Sequence, residues 1–201
     1  MSQLEFFKPP TKIPSRSEVR LIAGTINFQI KLVEALSASD AEQIIKISQG
    51  LIKPFGLGTA FTKTTVWKYF NYPHTLPFVG LLRNEIIGFL VGVPLENFQD
   101  ENWASIDPTL GEHETVYTYA FIFDEKHQKN GYAKMLKRVY INWLKKRGYL
   151  YVCIWARPRR YLPRLFTAYA SDSKIPKLAR YWQSLRVLSA TLTLMADRFL
   201  S

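Results

Sequence analysis

The chain is poor in cysteine: Cys153 is the only one. A lone thiol excludes an internal disulfide and a zinc cluster built on thiolates. Histidine is nearly as scarce, with three residues at 74, 113 and 127. These have neither H-E-x-x-H spacing nor a nearby cysteine pair, so no metal is expected. No run of 18 apolar residues occurs, which argues against a membrane-spanning helix. The opening stretch MSQLEFFKPPTKIPS lacks the apolar region and cleavage pattern of a standard secretory signal. The phosphate-loop pattern G-x-x-x-x-G-K-[ST], the dinucleotide pattern G-x-G-x-x-G and the nucleophile elbow G-x-S-x-G are all missing. Internal repeats and low-complexity tracts are missing too.

What is present suits one folded domain. The 201 residues are 47% apolar and 14% aromatic, enough for a sizeable core. The net charge of +11 is unevenly spread. Residues 1–125 carry 10 basic and 14 acidic side chains, whereas residues 126–201 carry 17 basic and only 2 acidic. Such asymmetry concentrates a positive field on one part of the surface, suited to an anionic cofactor, nucleic acid or an anionic membrane. A solvated basic surface is the plainer reading.

Residues 1–26, with three prolines, are expected to form an extended arm, and residues 27–201 a single domain. The weak alternation of 27–36 predicts a first strand. Ser37 with Asp40 resembles a helix cap, opening a helix with Ile44, Ile45, Ile47 and Leu51 as its apolar positions. Pro54 and Gly56 should stop it. Residues 61–70 read as a second short helix, and the connection KPFGLGTA before them is placed to border a cleft. Residues 77–94 predict a hairpin turning at Arg83-Asn84-Glu85. Gly88 and Gly92 within it suggest a bulge or a close approach of another group. Residues 95–114 have little periodicity and six acidic side chains, which suits a solvated loop or a binding wall for a cation.

The most informative stretch is 115–155. TVYTYAFIF (115–123) reads as a strand, DEKHQKNGYA as a polar loop around Gly131, and the following residues as an amphipathic helix. Its apolar stripe is Ala133, Leu136, Val139, Tyr140, Trp143 and Leu144. Lys145, Lys146 and Arg147 suit its C-terminal dipole, and Gly148 its cap. YLYVCIWA follows as a strand. Further on, 157–177 reads as a basic loop, 177–185 as a helix and 187–195 as a strand. A strand feeding a glycine turn and then a helix presents free N–H groups and a favourable dipole to an anion.

The loop residues Gln128-Lys129-Asn130-Gly131-Tyr132-Ala133 match [RQ]-x-x-G-x-[GA]. With the hairpin, strand, helix and strand around it, the chain resembles the GNAT superfamily of acyl-CoA N-acyltransferases. That resemblance implies an α/β (α+β) fold with a mixed central sheet and flanking helices, acetyl-CoA or CoA as cofactor, and no metal. It implies that Gln128, Lys129, Asn130, Gly131, Tyr132, Ala133 and Lys134 cradle the pyrophosphate. Phe121, Ile122 and Phe123 would pair with the pantetheine arm, and Arg157, Arg159 and Arg160 would reach the remaining phosphates. The acyl group would lie in a splay between strands 115–123 and 150–156.

A narrower resemblance covers about residues 120–185. Segment 123–158, with Lys126, Tyr140, the Lys145-Lys146-x-Gly148-Tyr149 helix end and Ile154-Trp155-Ala156-x-Pro158, is similar to the histone acetyltransferase domain of CREB-binding protein and its paralogue. So is Asp172-x-Lys174-Ile175-Pro176-Lys177. The resemblance implies transfer to protein lysines, with Trp155 lining the lysine tunnel. Tyr181 or Trp182 would stand where that family has a tyrosine proposed to protonate the departing thiolate. The order of the two aromatics is reversed here, so the register stays open. A substrate lysine must lose its proton, and Glu114, then His113, are the candidate bases or water anchors.

The expected partners are therefore acetyl-CoA and a basic or lysine-bearing protein. An acidic partner, chromatin or an anionic surface is expected to meet residues 126–201. A small-amine acetyltransferase and a non-catalytic CoA- or nucleic-acid-binding module are the alternatives. The expected setting is intracellular and soluble, in a nucleus or after delivery into a host cell.

Overall fold

Arg83 and Asn84 both adopt positive φ, 51° and 68°. Two consecutive left-handed residues make the tight turn whose twist matches paired strands. They join β3 (Leu76–Leu82) to β4 (Glu85–Pro94), the hairpin expected from the sequence. In the computed structural model, which describes residues 13–71, 74–105 and 107–154, this hairpin is the middle of a six-stranded sheet. The order is β1-β2-β3-β4-β5-β6, with β1 at Glu18–Gly24, β2 at Phe28–Ala35, β5 at Thr115–Phe123 and β6 at Tyr151–Ile154. Neighbours are antiparallel up to β5, and β6 runs parallel to β5.

Residues 18–24 correct the expected extended arm: they pair with β2 as an edge strand, and Arg20 bridges to Glu34 at 2.7 Å. The other elements fall close to expectation. Ser37 caps α1 (Ala38–Ser48) by accepting from the Asp40 N–H. A 3₁₀ turn and the short α2 (Ile52–Phe55) follow, and Gly56 at φ 105° ends them. Pro54 is thus inside α2 rather than beyond it. Next come α3 (Lys63–Asn71) and, after β5, the long α4 (Tyr132–Lys145). Gly148 at φ 85° lets the Tyr149 N–H reach back to Leu144 O at 3.2 Å, closing the helix end. Among the described residues no helix is long and apolar enough to cross a membrane.

Two cores flank the sheet. Ile44, Val66 and Phe70 of α1 and α3 pack with Val79, Phe89, Val91, Ala120 and Ile122 on one face. On the other, Leu136, Tyr140, Trp143 and Leu144 of α4 pack with Phe78, Leu90, Val116 and Phe123. The two strand glycines singled out in the sequence make room for α4-face rings. A Cβ on Gly88 would overlap the Phe123 ring, and one on Gly92 would overlap the Tyr140 hydroxyl.

One irregularity positions everything that follows. Between Val91 and Gly92 the register with β5 shifts: Val91 faces Ala120, Gly92 faces Thr118, and Tyr119 is the extra residue. This bulge inverts the alternation of β5. Val116 and Thr118 point to α4 before it, whereas Phe121 and Phe123 do so after it.

Candidate functional site

The polar loop after β5 is folded tightly. Asp124 accepts from the Lys126 N–H with its side chain and from the His127 N–H with its carbonyl, forming a 3₁₀ turn over Glu125–His127. Lys129 at φ 64° and Gly131 at φ 83° then reverse the chain twice, and Met135 N–H to Gly131 O at 3.0 Å starts α4. Among the described residues, none accepts a hydrogen bond from the backbone N–H groups of Lys129 to Lys134. Six successive donors at the positive end of a 14-residue helix are chemically suited to an anion. Among the described residues, none lies within 4 Å of where a Cβ on Gly131 would stand.

The side chains of the expected phosphate cradle divide by role. Lys129, Asn130 and Lys134 are exposed beside the N–H groups. Tyr132 packs on Phe28 with ring centroids 4.6 Å apart, and Ala133 leans into the α4 core. These two offer a ligand main-chain groups only. Gln128 is exposed and makes one bond to the strand. Its side-chain amide donates to Phe123 O at 3.0 Å, so it ties the loop to the strand end rather than reaching outward.

The strand end presents its edge. Asp124 N–H bonds Ile87 O at 2.8 Å on β4. By ladder alternation the peptide groups of Ala120 and Ile122 also face β4, and those of Phe121 and Phe123 face the opposite way. Of the expected trio, Ile122 therefore turns its peptide groups into the sheet. On the open side, pairing of β5 with β6 runs from Thr115↔Tyr151 to Thr118↔Ile154. Beyond Thr118 no described strand covers the edge. The bulge, the edge that no described strand covers and, past the strand's end, the N–H cluster thus follow one another along the chain. The four steps from Tyr119 to Phe123 cover about 13 Å.

Aromatic rings gather on the α1/α3 face beside the bulge. Tyr119 stacks on Tyr69 of α3 with centroids 3.9 Å apart and planes 27° apart, and lies 6.0 Å from Phe61. One residue pair earlier, Tyr117 contacts Trp103 at 5.0 Å and Phe98 at 5.4 Å. Residues 95–114, expected to be irregular, are a chain of short turns. Glu101 N–H bonds Phe98 O at 2.8 Å, and Ala104 N–H bonds Glu101 O at 2.9 Å. Burial raises the Tyr69 hydroxyl above its usual range, helped by Tyr119 and, further down, by the Glu101 charge. Burial likewise raises Tyr117 and pushes the Cys153 thiol, its partner across the β5–β6 pair, up to about 12.

Glu114 and His113 lie just before β5. The Glu114 carbonyl accepts from Leu150 and Tyr151 N–H at 2.9 and 3.1 Å. His113, at φ 56°, is exposed, and its N–H bonds Glu96 Oε1 at 2.9 Å. The nine-residue β5 separates both from the loop at its far end by roughly 30 Å. Glu96, counted from sequence among the acids of a solvated loop, is largely buried, and its Oε2 has no hydrogen-bond partner. Trp155, Arg157, Arg159, Arg160, Tyr181 and Trp182 lie outside the described residues. Tyr69 was not among the candidates. Tyr69 and Tyr119 meet only through the fold, 50 positions apart.

The acetyltransferase (GNAT) family model matches residues 46–161. No curated protein matches the sequence. Among solved structures, the ribosomal-protein-S18-alanine N-acetyltransferase of Escherichia coli is 16% identical, with a TM-score of 0.45 over 63% of this chain. The chain spans 65% of that enzyme's length. An aminoglycoside acetyltransferase from an uncultured soil metagenomic sample is 20% identical, with a TM-score of 0.46 over 64% of this chain and 77% of its own. A ribosomal-protein-alanine N-acetyltransferase from Brucella melitensis biovar Abortus is 14% identical, with a TM-score of 0.47 over 67% and 82%.

Proposed function

We propose that this chain, which belongs to the acetyltransferase (GNAT) family, acetylates lysine side chains of proteins. Family membership supplies the coarser chemistry, acetyl transfer from acetyl-CoA to an amine. The observation that carries the donor half is the run of unclaimed N–H groups from Lys129 to Lys134 at the start of α4. Their number suits a diphosphate, and the exposed Lys129 and Lys134 beside them add charge. The peptide groups of Phe121 and the N–H of Phe123, which no described strand meets, fit an arm that carries amides, since such an arm can bond to them as a strand would.

Acetyl-CoA supplies an activated acetyl group: the amine nitrogen bonds to the acetyl carbon, the C–S bond breaks, and the sulfur takes up a proton as the amine loses one. The chain's part is to hold the donor by its phosphates and arm and to bring the amine to the bulge, where positioning itself lowers the barrier. A lysine ammonium, with a pKa of ~10.4 in water, must be neutral to react, and a site walled by rings favours the neutral form. A lysine acceptor is supported by the resemblance of residues 123–158 to the histone acetyltransferase domain of CREB-binding protein. The acidic turns of 95–114 support it too.

The test is thiol release from acetyl-CoA with polylysine, mixed histones and small polyamines as acceptors, alongside calorimetric titration with CoA. Release that depends on protein lysines is the expected result. Saturable CoA binding with no release on any acceptor would leave a binding module. Absence of CoA binding would reduce the 128–134 loop to a helix cap.

A further inference from the structure

We infer that the cavity at the C-terminal ends of α3 and α4 is a binding site for a small organic acid. The carboxylate accepts from Asn71 Nδ2 and Trp143 Nε1, with the Arg147 guanidinium beside them. The site is separate from the loop before α4 and does not depend on the acetyl-transfer reading.

The cavity encloses about 450 Å³, a volume that suits a small molecule. Asn71, the last residue of α3, and Trp143, in the last turn of α4, stand in its wall with Phe70 and Leu76. The N–H groups of Lys129 to Lys134 are at the other end of α4. A helix of 14 residues puts the two places about 20 Å apart.

Two donors in this wall lack acceptors. Trp143 is 9% exposed, and its Nε1 is shut off from water with no hydrogen-bond partner. Asn71 Nδ2 is in the same condition. Turning the Asn71 side chain over would not cure this, because its Oδ1 accepts from the Leu36 N–H at 3.1 Å. Nearly all buried polar groups in folded chains are paired, so two orphans in one cavity wall point to an acceptor that the chain does not supply. An indole N–H can only donate. The ligand therefore brings oxygens, and a carboxylate brings two.

The charges give the ligand its sign. Arg20, Glu34 and Arg147 also line the cavity, and Glu34 is taken up by Arg20 at 2.7 Å. Arg147 lies over the Trp143 ring, 3.5 Å from its centre, and has no ion-pair partner among the described residues. A guanidinium held on a ring keeps its N–H fork for an oxyanion. The helix dipoles, negative at these ends, are met by Lys68 in the last turn of α3 and Lys145 in that of α4. Phe70, Leu76 and the Trp143 ring offer the rest of the acid an apolar surface.

The experiment uses the full chain with phenylacetate and, as an uncharged probe of the same shape, phenylacetamide. Calorimetric titration should show one phenylacetate per chain, bound at least about tenfold more tightly than phenylacetamide. In isotope-labelled protein the indole N–H resonance of Trp143, identified by its loss in Trp143→Phe, should move as phenylacetate is added. Asn71→Asp keeps an oxygen for the Leu36 N–H and turns the orphan donor into an acceptor, so affinity should fall more than about tenfold. Arg147→Gln, at an exposed position, should weaken binding about fivefold. CoA should not displace the acid. No binding of phenylacetate at millimolar concentration would overturn the assignment. So would equal binding of phenylacetamide, an unmoved Trp143 resonance, unchanged affinity in Arg147→Gln, or displacement by CoA. These titrations need no acyl donor, so a failure of acetyl transfer would overturn the proposed function and leave this site standing.

Discussion

Gln128 donates its side-chain amide to the carbonyl of Phe123, 3.0 Å away. The bond fastens the loop before α4 to the last residue of β5. Gln128→Ala should let the loop drift. A neutral hydrogen bond contributes about 1 kcal/mol, so KM for acetyl-CoA should rise about fivefold while the melting temperature moves little. Kinetics and a thermal scan on the same preparation check both halves.

Gly131 at φ 83° is in the left-handed region. There a side chain costs roughly 1–2 kcal/mol. Because the site of its Cβ is open, Gly131→Ala should strain the turn without a clash. CoA affinity should fall several-fold, read by calorimetry, with a modest loss of thermal stability. Unchanged affinity would mean that the turn keeps its shape without glycine.

Gly92 and Tyr140 are coupled by contact across the α4 face. Gly92→Ala places a methyl on the Tyr140 hydroxyl and should cost about 1–3 kcal/mol in denaturant unfolding. Tyr140→Phe removes that oxygen, together with its long 3.5 Å contact to Thr118. The double variant should therefore be more stable than the sum of the single changes. Additivity within about 0.5 kcal/mol would show the pair to be independent.

Burial holds the Cys153 thiol neutral, with its pKa pushed from 9.0 up to about 12. The folded state thus keeps a proton that the unfolded chain releases. Stability from this group is full below about pH 9 and is lost as pH rises toward 12. Tyr69, Tyr117 and Tyr140 are shifted upward by burial and act in the same direction. Unfolding free energy should fall over this window, and less steeply in Cys153→Ala. At pH 8 the native thiol should resist a disulfide reagent until denaturant is added.

Much of the scaffold could be read from the residues because local chemistry and fold agree there. Asn84 marked the hairpin turn, Ser37 capped its helix, and the stripe from Leu136 to Leu144 gave the buried face of α4. Strand β1 was hidden because an edge strand exposed on both sides has no alternation to detect: Leu21 is exposed, like its charged neighbours. The bulge was hidden for the opposite reason. TVYTYAFIF is apolar or aromatic at nearly every position, so a change of phase leaves no trace in it. The site divides similarly. The loop was legible as a local motif, but the destination of the Gln128 side chain depends on the 3₁₀ turn before it. The Tyr69–Tyr119 stack depends on how α3 lies on the sheet.

The phase change at Tyr119 makes β5 two strands spliced half a period apart. The first half is a load-carrying member of the sheet, tied to β4 and β6 alike. Among the described residues the second half keeps one strand neighbour, β4. A bound amide-bearing arm would act there as a temporary strand, so that occupancy by the donor and completion of the sheet become the same event. The amide hydrogens of Phe121 and Phe123 should then slow their exchange with solvent when CoA is added, while that of Ile122, already turned toward β4, should not.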